Sequence, residues 1–315
     1  MRSARTGVVL LNYRNVDDTL ACLESLERSD DLDLDIVVVD NGPEGPEFAE
    51  LREGVAGRGA TIASGENLGY AAGNNIGIAR VLERGCNLVW VLNPDTLVEP
   101  STLPLLRQHL AAVPDCGVVG PRILLPGRPP KIWFDGGLVD RSRGTTKHLH
   151  IGKHPDEHEP QALDVDYVTG ASMLIRRSMI EDVGLFPEEY FLYYEDVDWC
   201  TRGQRAGWRT MVDQRAQMMH HKRSSDDLPR PDYLYYMTRN RFLFAEVCLD
   251  IDGEASLRDF DEHFLVPWRA RVAKREPSLL PAFDDVIEVA KADGRARMTG
   301  RWSGITNKRF ERTRA

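Results

Sequence analysis

Four groups of residues in this chain combine side-chain types and spacings that can do chemistry. The densest is Tyr193-Tyr194-Glu195-Asp196-Val197-Asp198-Trp199, with Arg202 just beyond it. Carboxylates this close repel one another unless they are solvated, paired or set at a helix N-terminus, where the helix dipole favours them. A helix starting here puts Glu195 and Asp196 in its first turn, and one of them can take a proton from a hydroxyl as general base. An acidic helix cap with no further role accounts for the same residues. The second group, Asn93-Pro94-Asp95-Thr96, directly follows the apolar run 88–92. A carboxylate on a turn fixed by proline can hold a hard divalent cation, which draws its other ligands from phosphate oxygens and water. A plain polar turn is the alternative. Downstream, His220-His221 closes a strand-like run where an imidazole can reach a metal or a phosphate.

The third group pairs Asn12-Tyr13 with Asp40-Asn41-Gly42, each at the end of an apolar run. A carboxylate there can accept from a base NH or a ribose hydroxyl, and Tyr13 can pack on a base. An Asn-Gly turn ending a strand explains Asp40 equally well. The fourth is the stretch 65–77, GENLGYAAGNNIG, with glycines at 65, 69, 73 and 77. A four-residue period lines the last three along one helix face, which permits close approach to a neighbouring strand or to a ligand. The free NH groups of the helix start also suit a diphosphate.

These groups need elements to hold them. Residues 7–12 (GVVLLN), 35–40 (DIVVVD), 61–63 and 87–92 (NLVWVL) read as strands, with helices over 17–27 and 70–83 between them. Near-continuous Val, Ile and Leu runs separated by helices indicate a parallel sheet covered on both faces. Ligands of such sheets bind beyond the carboxyl ends of the strands, so Asn12, Asp40 and the turn 93–95 are expected to face one crevice. Residues 126–159, rich in Pro, Gly, Arg and His and including Asp135-Gly136-Gly137, read as extended loops rather than a packed layer. A strand is expected over 166–176, a helix over 195–206, a strand over 208–212 and helices from about 231 to 292.

Composition narrows the class. The chain has 315 residues, 42% apolar and 28% charged, which suits a globular protein with a sizeable core. The formal net charge of -9 argues against a general nucleic-acid binder, which needs surplus cations for phosphates. Apolar runs such as 8–11 and 36–39 fall far short of the roughly 20 residues that span a bilayer, and the basic residues 1–6 lack the apolar stretch of a secretory signal. A cytoplasmic protein is expected. The five cysteines (22, 86, 116, 200, 248) are odd in number and scattered, which favours buried thiols over disulfides or a zinc site. The tail 295–315 has seven basic residues and one acid, leaving the rest of the chain near -15. A solvated tail is the plain reading, and peripheral contact with an anionic inner membrane face is the functional one. Apolar residues among the last helices (Phe260, Phe264, Leu265, Trp268) either pack on the first domain or pair two chains as a homodimer.

Taken in order, NYRN from 12, VVVDNG ending at 42, ENLGYAAGNNIG at 66–77, NPDT at 93–96, TGASMLIRR at 169–177, YYEDVDWCTR at 193–202 and HHKRSS at 220–225 resemble glycosyltransferase family 2. The likeness is strongest to its bacterial rhamnosyltransferase-like branch and spans about residues 7–245. It implies an α/β fold of GT-A type: a mostly parallel central sheet with helices on both faces, plus C-terminal helices. It further implies a catalytic domain over 1–250, with a nucleotide-sugar half (1–125) and an acceptor half (126–250), then a helical extension over 251–294 and the basic tail. Carried over by position, Asn12, Tyr13, Asp40, Asn67, Asn74, Asn93 and Asp95 would lie at the nucleotide sugar. Asp95 would be the last acid of a DxD-type motif, with Asn93 where the first acid often stands, and His220 would help it hold Mg2+ or Mn2+. Asp196, beside Glu195, would be the base, and Trp199 and Tyr193 would frame the acceptor.

The reaction so implied is inverting, metal-dependent transfer of L-rhamnose from dTDP-rhamnose, or of a hexose or N-acetylhexosamine from a UDP-sugar. The acceptor would be a hydroxyl of a glycan, a lipid-linked sugar or a small molecule. The rival reading is a nucleotide-sugar binder without turnover, which would have no use for a base. A dinucleotide enzyme or P-loop protein is disfavoured because neither G-x-G-x-x-G after the first strand nor G-x-x-x-x-G-K-[ST] occurs. A glycoside hydrolase fits the strand and helix pattern least.

Overall fold

The computed structural model describes residues 5–29, 34–221, 228–302 and 304. The first half follows the expected alternation: β1 (Thr6–Asn12), α1 (Val16–Glu27), β2 (Leu34–Asp40), α2 (Pro46–Val55), β3 (Ala60–Ala63), α3 (Tyr70–Glu83) and β4 (Leu88–Leu92). Next come β5 (Thr96–Val98), α4 (Thr102–Ala112), β6 (Cys116–Leu125), β7 (Lys131–Phe134), the hairpin strands β8 (Gly137–Asp140) and β9 (Thr145–His148), and β10 (Ala162–Asp164). After them run β11 (Ser172–Arg176), α5 (Arg177–Val183), α6 (Glu195–Arg205) and β12 (Arg209–His220). Four α-helices close the described chain: α7 (Pro231–Leu243), α8 (Gly253–Phe260), α9 (Val266–Arg275) and α10 (Leu280–Arg295), with π-helical turns at Phe244–Leu249 and Asp261–Leu265.

Ten strands form one sheet whose path runs β10-β12-β6-β11-β4-β1-β2-β3, with β5 beside β12 and β7 beside β6. Its N-terminal strands are parallel: β1 pairs with β2 and β4, and β2 with β3. Val8, Val9, Leu10, Val37, Val38, Val39, Val89, Trp90 and Val91 are completely buried, which explains the unbroken apolar runs. The sheet is mixed, because β11 runs antiparallel to both β4 and β6. With β6 parallel to β12, the strands β1, β2, β4, β6 and β12 all point the same way.

Three expectations are corrected in detail. Residues 126–159 are not only loops: β7 extends the sheet and β8 with β9 forms a hairpin. Strands of four residues between prolines and glycines carry too few alternations to register as a period. The strand expected from 166 begins at Ser172, because the preceding loop turns so closely past α3 that a Cβ on Gly170 would lie 2.6 Å from Tyr70 Oη. The strand expected to end at 212 runs on to His220 through a register shift between Asp213 and Gln217. There Asp213 is fully buried and accepts from Arg215 and His109, so a polar stretch passes through the sheet without exposing its charge.

Contacts group the described residues into two compact units, one within Met1–Leu138, Lys147–Glu188 and Asp196–Lys222, the other within Val139–Thr146, Glu189–Glu195 and Arg223–Ala315. By compactness α7 goes with the C-terminal helices rather than with the sheet, since Leu234, Tyr235 and Tyr236 share a buried cluster with Phe260, Leu265, Val272, Phe283 and Val286. All five cysteines are buried thiols in no disulfide. Among the described residues no helix is long and apolar enough to cross a membrane. Residues 222–225 of the HHKRSS motif, and residue 303 and residues 305–315 of the basic tail, lie outside the described residues.

The glycine period of α3 is a packing face. A Cβ on Gly73 would lie 2.5 Å from Leu11 Cδ1, and one on Gly77 would lie 2.4 Å from Val9 Cγ1. Gly77→Val is therefore expected to lower stability by about 1–3 kcal/mol through overpacking. Urea unfolding should show a lower midpoint at unchanged slope, whereas an unmoved midpoint would show that α3 does not rest on β1 there.

Candidate active site

Because the parallel strands share one direction, the carboxyl ends of β1 (Asn12), β2 (Asp40), β4 (leading to Asp95) and β12 (His220) open on the same edge of the sheet. The amino end of the antiparallel β11 lies on that edge too, and its approach loop ties the motifs together. Ala171 O accepts from Asn93 N at 3.0 Å, Gly170 O accepts from Tyr70 Oη at 2.6 Å, and Gly170 N donates to Asp196 Oδ2 at 2.8 Å. One short loop thus joins the turn after β4, the start of α3 and the acidic start of α6.

At the ends of β1 and β2, Asn12 is fully buried and donates from Nδ2 to Asp40 Oδ1 at 2.7 Å, while its Oδ1 accepts from Thr19 Oγ1 at 2.9 Å. It orients Asp40 and presents no group of its own to solvent, a correction to its expected direct contact with nucleotide. Burial pushes the Asp40 carboxyl above the usual carboxylate range, the Asn12 amide opposes this, and nearby Glu47 adds to it. Asn41, in the turn that ends β2, locks the next loop: its Oδ1 accepts from Leu68 N at 3.0 Å and its Nδ2 donates to Gly69 O at 2.9 Å. Asn67 is half-buried and caps the same loop, accepting from Gly69 N at 3.0 Å. Asn74 is fully buried inside α3, donating to Tyr70 O at 2.9 Å, while its Oδ1 has no hydrogen-bond partner among the described residues. Tyr13 is 41% exposed with the Arg14 guanidinium 5.5 Å from its ring centre, an open aromatic face at the end of β1.

At the centre of the edge, Asp95 Oδ1 and His220 Nε2 are 3.0 Å apart. His221 N donates to Asp95 O at 2.8 Å, and His220 pairs across the ladder with Thr96, so the β5–β12 pairing sets the contact. His220 is buried against the edge of the Trp133 ring at 4.6 Å, and its Nδ1 has no partner among the described residues. Asp95 remains 28% exposed. At this distance the two side chains are hydrogen-bonded to each other, and a carboxylate oxygen and an imidazole nitrogen are both atoms that bind divalent cations, which makes the pair a candidate for holding one. No cluster of three or more His, Cys, Asp or Glu suited to a metal occurs among the described residues. Asn93 is half-buried and enters the site through its backbone.

The acidic motif divides by role. Asp198 is buried and paired with Arg202 at 2.5 and 2.9 Å, which neutralises it. Glu195 is buried at the start of α6. Asp196 is half-buried, and removal from water pushes its carboxyl up while the N–H groups of Gly170 and Val197 pull it down. A carboxylate held by two backbone donors yet raised above its usual range suits a proton acceptor. Trp199 is corrected: at 1% exposure, donating to Gly184 O at 2.9 Å and packed edge-on against Phe186, it belongs to the core and frames no acceptor. Tyr193 is half-buried, edge-on to Tyr233 at 5.3 Å, and burial raises its hydroxyl. Asp135 offers no open carboxylate to a sugar, since it is fully buried between Arg122 and His150.

The Asn12–Asp40 contact carries a pH signature. Removing the amide raises the folded Asp40 carboxyl further above its unfolded value, so the folded state binds more protons than the unfolded one and stability declines as pH rises through that interval. Asn12→Ala is expected to lose about 1–3 kcal/mol for an unsatisfied buried carboxylate. The loss should be larger at about pH 7.5 than at about pH 4.5 in urea unfolding. Equal losses at both would show that Asn12 does not act through Asp40.

The glycosyl transferase family 2 pattern matches residues 8–184. An N-acetylglucosaminyl-diphospho-decaprenol L-rhamnosyltransferase of Mycobacterium tuberculosis is 27% identical over 263 residues, covering 75% of this chain and 82% of its own length. A low-salt glycan biosynthesis hexosyltransferase of Haloferax volcanii is 30% identical over 243 residues, covering 75% and 74%. Rhamnosyltransferase WbbL of Escherichia coli is 27% identical over 223 residues, covering 64% and 78%. Among solved structures, a Pyrobaculum calidifontis mannosyltransferase in complex with GDP-Man and Mn2+ superposes with a TM-score of 0.56 at 15% identity, covering 91% of this chain and 87% of that one. The fold is accordingly of the expected GT-A type. A family match over more than half the chain, joined by relatives that share three quarters of it, means that the protein belongs to glycosyl transferase family 2 and is a glycosyltransferase.

Proposed function

We propose that this glycosyltransferase moves L-rhamnose from a dTDP donor to a sugar hydroxyl of a lipid-linked glycan, with inversion at the anomeric carbon. The observation that carries the reading is the 169–171 loop, which holds Asp196 through Gly170 and the Asp95 turn through Ala171 and Asn93. A binder without turnover has no need of a raised carboxylate at that place. Rhamnose is favoured over a hexose or N-acetylhexosamine from UDP because relatives from Mycobacterium tuberculosis and Escherichia coli carry rhamnosyltransferase names. The mycobacterial name also supplies the diphospho-polyprenol acceptor class. Such an acceptor places the protein at the cytoplasmic face of a membrane.

In this reading Tyr13 offers its ring face to the base, and Asp40, aligned by Asn12, accepts from the base or ribose. Asp95 and His220 would hold Mg2+ or Mn2+, consistent with Mn2+ in the Pyrobaculum structure and in that of GalNAc-T7. When bound, that ion supplies positive charge for the departing diphosphate. Asp196 takes the proton of the acceptor hydroxyl while that oxygen bonds to the anomeric carbon from the face opposite the leaving group. The carbon–oxygen bond to the diphosphate breaks with its electron pair, so one displacement inverts the centre. Half-buried Tyr193 remains the candidate for acceptor contact.

The deciding experiment is a thermal-shift screen of dTDP, UDP and GDP with and without Mg2+ or Mn2+. A ligand at 100 times its dissociation constant stabilises by about 2.7 kcal/mol. The expected result is a metal-dependent shift that is largest for dTDP and lost in Asp95→Ala. A shift confined to UDP would replace the donor, and none at all would overturn the reading. Asp196→Asn is expected to cut turnover by about 10²–10⁴-fold while leaving the dTDP shift in place. Parental turnover in that variant would remove Asp196 as the base.

A further inference from the structure

The residues that lead into Asp196 adopt a backbone that their own chemistry disfavours. Phe191, Tyr193 and Tyr194 have φ of 65°, 69° and 76°, the left-handed region that Cβ-bearing residues avoid. Such angles persist only where the surroundings over-determine them.

The groups that do so come from α7. Asn240 Nδ2 lies 3.0, 2.8 and 2.8 Å from the carbonyl oxygens of Tyr190, Leu192 and Tyr193, so its two protons are shared among three acceptors. Beside it, Arg239 donates from Nη2 to Tyr190 O at 2.7 Å, from Nη1 to Gly300 O at 2.6 Å and from Nε to Asn240 Oδ1 at 2.8 Å. A guanidinium can only donate, so the Nε contact fixes which end of the Asn240 amide faces the loop. Both side chains are buried, at 1% and 0% exposure, with the guanidinium carbon 5.4 and 5.0 Å from the ring centres of Tyr235 and Tyr236. Enclosing two polar side chains in an aromatic cluster is unfavourable unless every donor is used. Here Asn240 Nδ2 and Arg239 Nη2 are spent on the carbonyls of residues 190, 192 and 193, while Nη1 goes to Gly300 O and Nε to the Asn240 amide oxygen.

We propose that Arg239 and Asn240 are positioning residues for the base. By gripping the carbonyls of residues 190, 192 and 193 they hold the left-handed run that leads directly into Glu195 and Asp196. They thereby set where α6 begins and where the Asp196 carboxylate meets Gly170 N–H. Neither touches substrate. The inference rests on the reading of Asp196 as base, and its test separates the two.

The test uses the full chain carrying Asn240→Ala or Asn240→Asp, the latter of nearly the same shape but with oxygen facing the carbonyls. Arg239→Lys, which keeps the charge but lacks the Nε–H that orients the amide, serves if either fails to fold. Hydrogen exchange of the Gly170 amide reads the position of Asp196 without reference to activity. It is expected to speed up by about tenfold while β1 and β4 exchange as in the parent. Release of dTDP from dTDP-L-rhamnose, with octyl N-acetylglucosaminide as acceptor, should show kcat lower by about tenfold at a donor KM within about twofold, with the acidic limb of the kcat–pH profile displaced. Parental Gly170 exchange with parental kcat and pH profile would overturn the positioning role, even where Asp196→Asn abolishes turnover. Parental turnover in Asp196→Asn would instead overturn the base, and the positioning role with it.

Discussion

Gly170 and Ala171 commit three backbone groups to three separate motifs. The N–H of Gly170 goes to Asp196, its carbonyl to Tyr70 and the carbonyl of Ala171 to Asn93. These bonds need α3 to pass within reach, and the close approach needs glycine at 170, since a Cβ there would lie 2.6 Å from Tyr70 Oη. The approach in turn depends on Gly73 and Gly77, which let α3 settle onto β1. A backbone N–H also does something that a cationic side chain would not do here. It holds the Asp196 carboxylate in place without bringing a full positive charge to it, and although the N–H pulls its proton affinity down, burial outweighs that pull and raises it.

The three acids of the EDVD motif show how environment assigns roles to like residues. Asp198 faces Arg202 one turn along α6 and is consumed by that ion pair. Asp196 faces backbone donors and keeps its capacity to accept a proton. Asp95 and His220 show the same logic across the sheet. Residues 125 apart in sequence come within 3.0 Å because β5 and β12 pair in one register. Shifting that register by one residue would turn His220 to the opposite face of the sheet.

Much of this was legible in the chain itself. Apolar runs such as 8–11 and 36–39 marked central parallel strands, because a strand buried on both faces has no polar side to interrupt it. The turn at Asp95 and the cluster at Asp196 were visible because several groups with reactive side chains fell at element ends. Other features were hidden. Trp199 looked like an acceptor platform by its place beside the acids, yet helical geometry turns it into the core. Asn12 and Asn74 looked like open ligands, and both are enclosed. Nothing in the string 231–243 distinguishes Arg239 and Asn240 from surface residues of a polar helix.

The sequence by itself determined the alternation of apolar strands with helices over residues 7–92, the family and the identities of the reactive side chains, because these follow from local periodicity and from residues near one another in the chain. Tertiary structure decided which of those side chains are open, which are paired and which backbone groups hold them. Burial, register and the partners of a polar atom depend on residues tens to hundreds of positions away, and no local pattern records them. Asp95 with His220, Gly170 with Asp196, and Asn240 with the carbonyls of 190–193 exist only once the sheet and the helices have brought distant parts of the chain together.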